Sequence, residues 1–161
     1  MHHTRQGIGN IPHFCYTSGV KHVIISPGSR NAPLTIAFAS YKKLKTISVV
    51  DERAAAFFAL GIAYFTRNPV VIVCTSGSAA LNFSPAIAEA YYQHVPLIVF
   101  TADRPPEWID QEDGQTLRQF DVYKNFVKKS FQFPVETEHG NDLLHANRIL
   151  SEAIISAKLN F

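Results

Sequence analysis

Four short polar stretches carry residues that could do chemistry: "SPGSRN" at 26–31, "DER" at 51–53, "TSGSA" at 75–79 and "TADRP" at 101–105. Arg30 and Arg104 each offer a planar guanidinium fork that suits carboxylates. Pro105 and Pro106 lock the chain just beyond Arg104. Ser29 and Arg30 together suit an anion, and Gly28 before them suggests an unusual backbone angle. Gly77, among small hydroxyl residues, precedes a helix whose first N–H groups point outward. "TSGSA" lacks the lysine of a phosphate loop and is not a dinucleotide fingerprint, and "SPGSRN" has one glycine and a proline. Nucleotide or flavin binding by those routes is therefore not indicated.

Glu52 stands apart. It follows an apolar run, "SVV", and precedes an almost uncharged one, "AAAFFALG". Asp51 or Glu52 could simply start a helix, since acids favour the first turn. A carboxylate facing an apolar pocket, however, is desolvated and holds its proton more tightly, which suits general acid–base work.

The elements that position these stretches are legible in the apolar pattern. The runs 21–26, 45–50, 69–75 and 96–102 are nearly continuous in apolar residues, as strands covered on both faces are. Helical segments are expected at 32–43, 53–67 and 79–93. Strand and helix alternate at intervals of about 25 residues, which suits right-handed βαβ crossovers. The expected fold is α/β: an open, mainly parallel sheet with helices on both faces. Ligands in such sheets bind outside the carboxyl ends of the strands, where all four polar stretches fall. Beyond residue 102 the expectations are a loop, a short helix at 117–126, a fifth strand at 127–133 and an amphipathic helix at 142–158. That helix is capped by Asn141 or Asp142, with Leu143, Leu144, Ala146, Leu150, Ala153, Ile154 and Ala157 on one face.

The 161 residues suit one domain, and 47% hydrophobic against 17% charged residues excludes disorder. A net charge of +2 with scattered Lys and Arg gives no nucleic-acid footprint. No apolar run reaches the roughly 18 residues of a membrane span, and no signal core opens the chain. Cys15 and Cys74 read as buried thiols of a cytoplasmic protein.

Taken together, "SPGSRNAPL", "SVVDERAAAFFALGIA", "TSGSAALNFSPAIAEAYYQ" and "TADRPPEWIDQEDGQTLRQ" resemble the N-terminal, pyrimidine-binding domain of thiamine-diphosphate enzymes. More narrowly they resemble the menaquinone-biosynthesis branch of that family, over about Ser18 to Gln119. The resemblance implies that Glu52 hydrogen-bonds N1′ of the cofactor's aminopyrimidine and so promotes loss of the thiazolium C2 proton. It implies that Pro27, Thr75, Ser76 and Asn82 line the cofactor ring or the substrate pocket, and that Ser29, Arg30, Arg104 and Gln115 face substrate. The reaction it implies decarboxylates 2-oxoglutarate and adds the succinyl-semialdehyde unit to isochorismate. Both substrates are dianions, which makes sense of the arginines. Mg²⁺ (or Mn²⁺) and the cofactor diphosphate are expected on a separate domain with a Gly-Asp-Gly…Asn motif, which this sequence lacks. That domain is expected from a second subunit of a homodimer or homotetramer. On this reading residues 1–161 are one pyrimidine domain without its last strand, a fragment of a longer enzyme and inactive alone. The competing reading is a non-catalytic binding or assembly module of the same fold. The absent diphosphate motif favours it, and the intact Glu52 speaks against it.

Overall fold

A computed structural model describes residues 6–135, 137 and 139–159. The helices are α1 (Gln6–Thr17), α2 (Ala32–Ser40), α3 (Glu52–Thr66), α4 (Ser78–Asn82), α5 (Ser84–Tyr92) and α6 (Gly140–Lys158). The strands are β1 (His22–Ile25), β2 (Lys45–Ser48), β3 (Val70–Cys74) and β4 (Leu97–Thr101). All pair in parallel, in the order β2-β1-β3-β4. Ile24 sits opposite Ile47 on one side and Ile72 on the other, and Ile72 opposite Val99.

Side chains alternate across the sheet and feed two cores. Ile24, Val70, Ile72 and Cys74 pack with the alanines of α3 and with Phe83, Ile87 and Tyr123. Val23, Ile25, Val71, Val73 and Ile98 pack with Ile11 and Cys15 of α1, Phe38 of α2, and Leu150 and Ile154 of α6. The sheet is therefore sandwiched between helices, and for that reason β3 is apolar throughout and β1 is apolar after the half-buried His22. The chain winds out from β1 in one direction to β2 and returns past it to β3. This reversal opens a crevice between the carboxyl ends of β1 and β3.

Several expectations are corrected. Edge strand β2 is only partly covered, so burial on both faces belongs to the central pair. Residues 127–133 form no strand. Val127 packs on the α3 side of the sheet and Phe133 on the α6 side, so the segment rounds the edge of β4 instead of pairing along it. Residues 117–126 form turns and one 3₁₀ turn (Lys124–Phe126), since Asp121 takes a left-handed φ of 59°. The helix expected at 79–93 divides into α4 and α5 at the buried Phe83. α6 begins at Gly140 after His139, ahead of the expected caps and with no side-chain cap bond. Its inward stripe is Ala146, Leu150 and Ile154, and Leu144 is 70% exposed. Both cysteines are free and buried. Among the described residues no helix is long and apolar enough to cross a membrane.

Candidate active site

The turn after β1 is held by a residue that the sequence pattern does not single out. Asn31 is fully buried. Its Oδ1 accepts the Gly28 N–H at 2.8 Å and its Nδ2 donates to the Ser26 carbonyl at 2.8 Å. An amide two or three residues past a Pro-Gly turn is the signal that could have found it. Gly28 has no left-handed φ, contrary to expectation. It is small because the chain passes close to β3: an added Cβ would lie 2.5 Å from Cβ of Thr75. The first and third strand-end turns thus touch in the crevice. Thr75 Oγ1 is buried there without a hydrogen-bond partner. Ser29 and Pro27 are exposed, and Pro27 lines a separate groove of about 420 Å³ beside β2 and α2.

Asp51 and Glu52 divide their tasks. Asp51 caps α3, accepting the Ala54 N–H at 2.7 Å. Glu52 is left free of capping and shares the inward helix face with the buried Ala55, Ala56, Ala59 and Ala63. Small residues let α3 lie close on the sheet, which brings Glu52 over its carboxyl edge. Asn82, at the end of α4, donates to Glu52 Oε2 at 3.2 Å. Cys74, the last residue of β3, has its thiol pushed up to about 12, first by burial and then by the Glu52 charge. The opposite face of α3 is apolar yet open: Phe57, Phe58, Tyr64 and Phe65 are exposed, Phe65 by 90%. Val50, just before the cap, is 80% exposed.

The third and fourth turns are joined by the loop after β4. Ser76 Oγ donates to the Gln115 carbonyl at 2.9 Å, and an added Cβ on Gly77 (φ 81°) would lie 2.7 Å from Gln115 Cα. The Gln115 side chain turns the other way and accepts from Arg30 Nη1 at 2.8 Å. Arg104 forms an ion pair with Asp113 and donates from Nη2 to the Gly114 carbonyl at 2.9 Å. Its guanidinium lies 5.8 Å from the Trp108 ring centroid, and its Nε has no hydrogen-bond partner. Arg30 and Arg104 line one cavity of about 660 Å³ that runs along β4 towards α6.

The structure therefore pairs Glu52 with Asn82, Arg30 with Gln115, Ser76 with Gln115 and Thr75 with Gly28. Arg104 shares the cavity with Arg30, and Glu52 does not line it. The arrangement offers a half-buried carboxylate with free lone pairs at one point. Two guanidinium groups, already oriented by neutral or acidic neighbours, lie at another. A carboxylate with one polar partner matches a heteroaromatic ring that presents a nitrogen. The guanidinium pair matches a multiply charged carboxylic acid. Among the described residues no group of three or more His, Cys, Asp or Glu side chains could hold a metal ion.

Comparison with known proteins gives the site a context. The family described as "Thiamine pyrophosphate enzyme, N-terminal TPP binding domain" matches residues 11–123. The chain is 53% identical over 149 residues to a 2-succinyl-5-enolpyruvyl-6-hydroxy-3-cyclohexene-1-carboxylate synthase of Cytophaga hutchinsonii, covering 92% of this chain and 27% of that protein. It is 47% identical over 153 residues to the synthase of the same name from Desulfotalea psychrophila, covering 95% and 28%. With that of Christiangramia forsetii the identity is 58% over 113 residues, covering 70% and 20%. The chain thus spans about a quarter of the length of these curated relatives.

Proposed function

The chain belongs to the thiamine pyrophosphate enzyme family, and on that premise we propose that it forms the pyrimidine-binding part of a menaquinone-pathway synthase. The proposed reaction decarboxylates 2-oxoglutarate and adds the succinyl-semialdehyde unit to isochorismate. The observation that carries this reading is Glu52, placed at the mouth of the sheet by α3, uncommitted to capping and tethered by Asn82.

Thiamine diphosphate, when bound, supplies the carbanion chemistry. The residues of this chain position and tune it. Glu52 holds a proton at the ring nitrogen N1′. Asn82 fixes the carboxylate's rotamer and leaves one of its oxygens for the ring. Thr75 and Ser76, just past β3, and Pro27, past β1, would line the ring or the substrate pocket. Ser29, Arg30, Arg104 and Gln115 face the substrates. Arg30 and Arg104 bind carboxylates through charge-assisted hydrogen bonds, and Gln115 holds Arg30 in place until substrate arrives.

Mg²⁺ and the cofactor diphosphate are assigned to a second domain with the appropriate ligands, contributed by another subunit of a cytoplasmic homodimer or homotetramer. The open apolar face of α3 supports that assignment, because a patch of Phe57, Phe58, Tyr64 and Phe65 is the kind of surface a partner covers. This chain by itself is expected to give no turnover. The test is a product assay with 2-oxoglutarate, isochorismate, thiamine diphosphate and Mg²⁺. The full-length synthase should form product and release CO₂, and this chain alone should not. Full-length protein that consumes neither substrate would refute the assignment.

A further inference from the structure

Gln119 is not a residue the sequence singles out, yet it is only 6% exposed and lines the cavity that Arg30 and Arg104 share. A buried amide has to satisfy both of its ends. Its Oε1 accepts the Gly77 N–H at 3.0 Å and its Nε2 donates to the Ala102 carbonyl at 2.6 Å. Only this orientation of the amide satisfies both neighbours.

Each bond leads to a different part of the site. Gly77 opens α4, whose last residue, Asn82, holds Glu52. Ala102 follows the last residue of β4 and stands two residues before Arg104, and its own N–H donates to the Cys74 carbonyl at 3.0 Å. Gln119 itself closes the loop that carries Gln115 and Asp113, the partners of Arg30 and Arg104. The segments just past the carboxyl ends of β3 and β4 and the loop over them therefore meet on one side chain.

We propose that Gln119 is a positioning residue: its amide fixes the spacing between the Glu52 side of the site and the Arg30–Arg104 side, so that substrate carboxylates are presented in register with the bound cofactor. This rests on the synthase reading above. No other neutral side chain of this length offers an acceptor and a donor together. Glutamate keeps the shape but turns an acceptor towards the Ala102 carbonyl. Methionine keeps the volume and loses both bonds.

The test compares wild-type full-length synthase with Gln119→Glu and Gln119→Met. KM for 2-oxoglutarate and for isochorismate should rise about tenfold, the scale of one or two lost hydrogen bonds. Thiamine diphosphate affinity, titrated directly, should stay within about twofold, because the diphosphate is held elsewhere. Hydrogen–deuterium exchange should accelerate in both the 75–80 and 115–118 segments. A purely structural role would lower the active fraction and leave KM unchanged. KM values within about twofold of wild type in both variants overturn the proposal. Unchanged exchange in the two segments overturns it as well. Wild-type protein that turns over neither substrate overturns the synthase reading instead, and the exchange experiment still decides whether Gln119 joins the two segments.

Discussion

The side-chain amide of Asn82 donates to the Glu52 carboxylate at 3.2 Å, joining the end of α4 to the start of α3 across the carboxyl edge of the sheet. The bond fixes a group that would otherwise swing freely at a helix terminus. Asp51 takes the capping task, so Glu52 is available for a ligand.

Replacing Glu52 by Gln should lower kcat by about 10²–10⁴, the usual contribution of a positioned proton-transfer group. The fold should survive, because the Asp51 cap and the alanine face of α3 are untouched. Replacing Asn82 by Ala should give a smaller loss in the same parameter. Steady-state kinetics of the full-length synthase, with circular dichroism as the control, check both.

Arg30→Ala and Arg104→Ala should each weaken substrate binding by about 1–3 kcal/mol, the scale of a charge-assisted hydrogen bond. The effect should fall on KM for the dianionic substrates and leave the affinity for thiamine diphosphate unchanged. Unaltered kinetics for both substrates in both variants would remove the arginines from the site.

Gly28→Ala and Gly77→Ala test the close approaches that shape the crevice. The first forces a Cβ to 2.5 Å from the buried Thr75 side chain. The second meets Gln115 backbone at 2.7 Å and also requires φ 81° of an alanine. Gly28→Ala should cost about 1–3 kcal/mol by overpacking, and Gly77→Ala more. Urea denaturation gives the comparison, and equal stabilities would show that neither approach is tight.

Burial holds the Cys15 and Cys74 thiols up at about 12, against a usual value of 9.0. At pH 8 both should resist iodoacetamide in the folded protein and react on unfolding. The native state keeps these protons where the unfolded chain releases them. Stability is therefore fully present below about pH 9 and declines as pH rises from there to about 12, by up to about 1.4 kcal/mol per pH unit for each thiol. Denaturation midpoints across that range check the sign.

The central strands are legible because residues 23–25 of β1 and all of β3 are buried, which leaves an apolar run in each. The edge strands share the composition without the burial, so β2 reads as more enclosed than it is. The loop after β4 was the least legible. Phe131 and Phe133 alternate with polar residues as a strand would, but that segment passes from one core to the other around the sheet edge. Pairs close in sequence, such as Asp51 with Ala54, follow from local rules. Glu52 with Asn82 and Gln119 with Gly77 depend on how α4 and the loop return to the same edge. No periodicity encodes them. The unusual backbone angle expected of Gly28 is absent, and the actual reason for a glycine there, the side chain of Thr75, lies in the turn after another strand.

The central claim is that Glu52 activates a cofactor bound at this edge. The most direct measurement is CO₂ release from 2-oxoglutarate by full-length synthase saturated with thiamine diphosphate and Mg²⁺, comparing wild type with Glu52→Gln. The account predicts release by wild type and a loss of at least about 10²-fold in the variant, with cofactor still bound. Release by the variant within about twofold of wild type would contradict it.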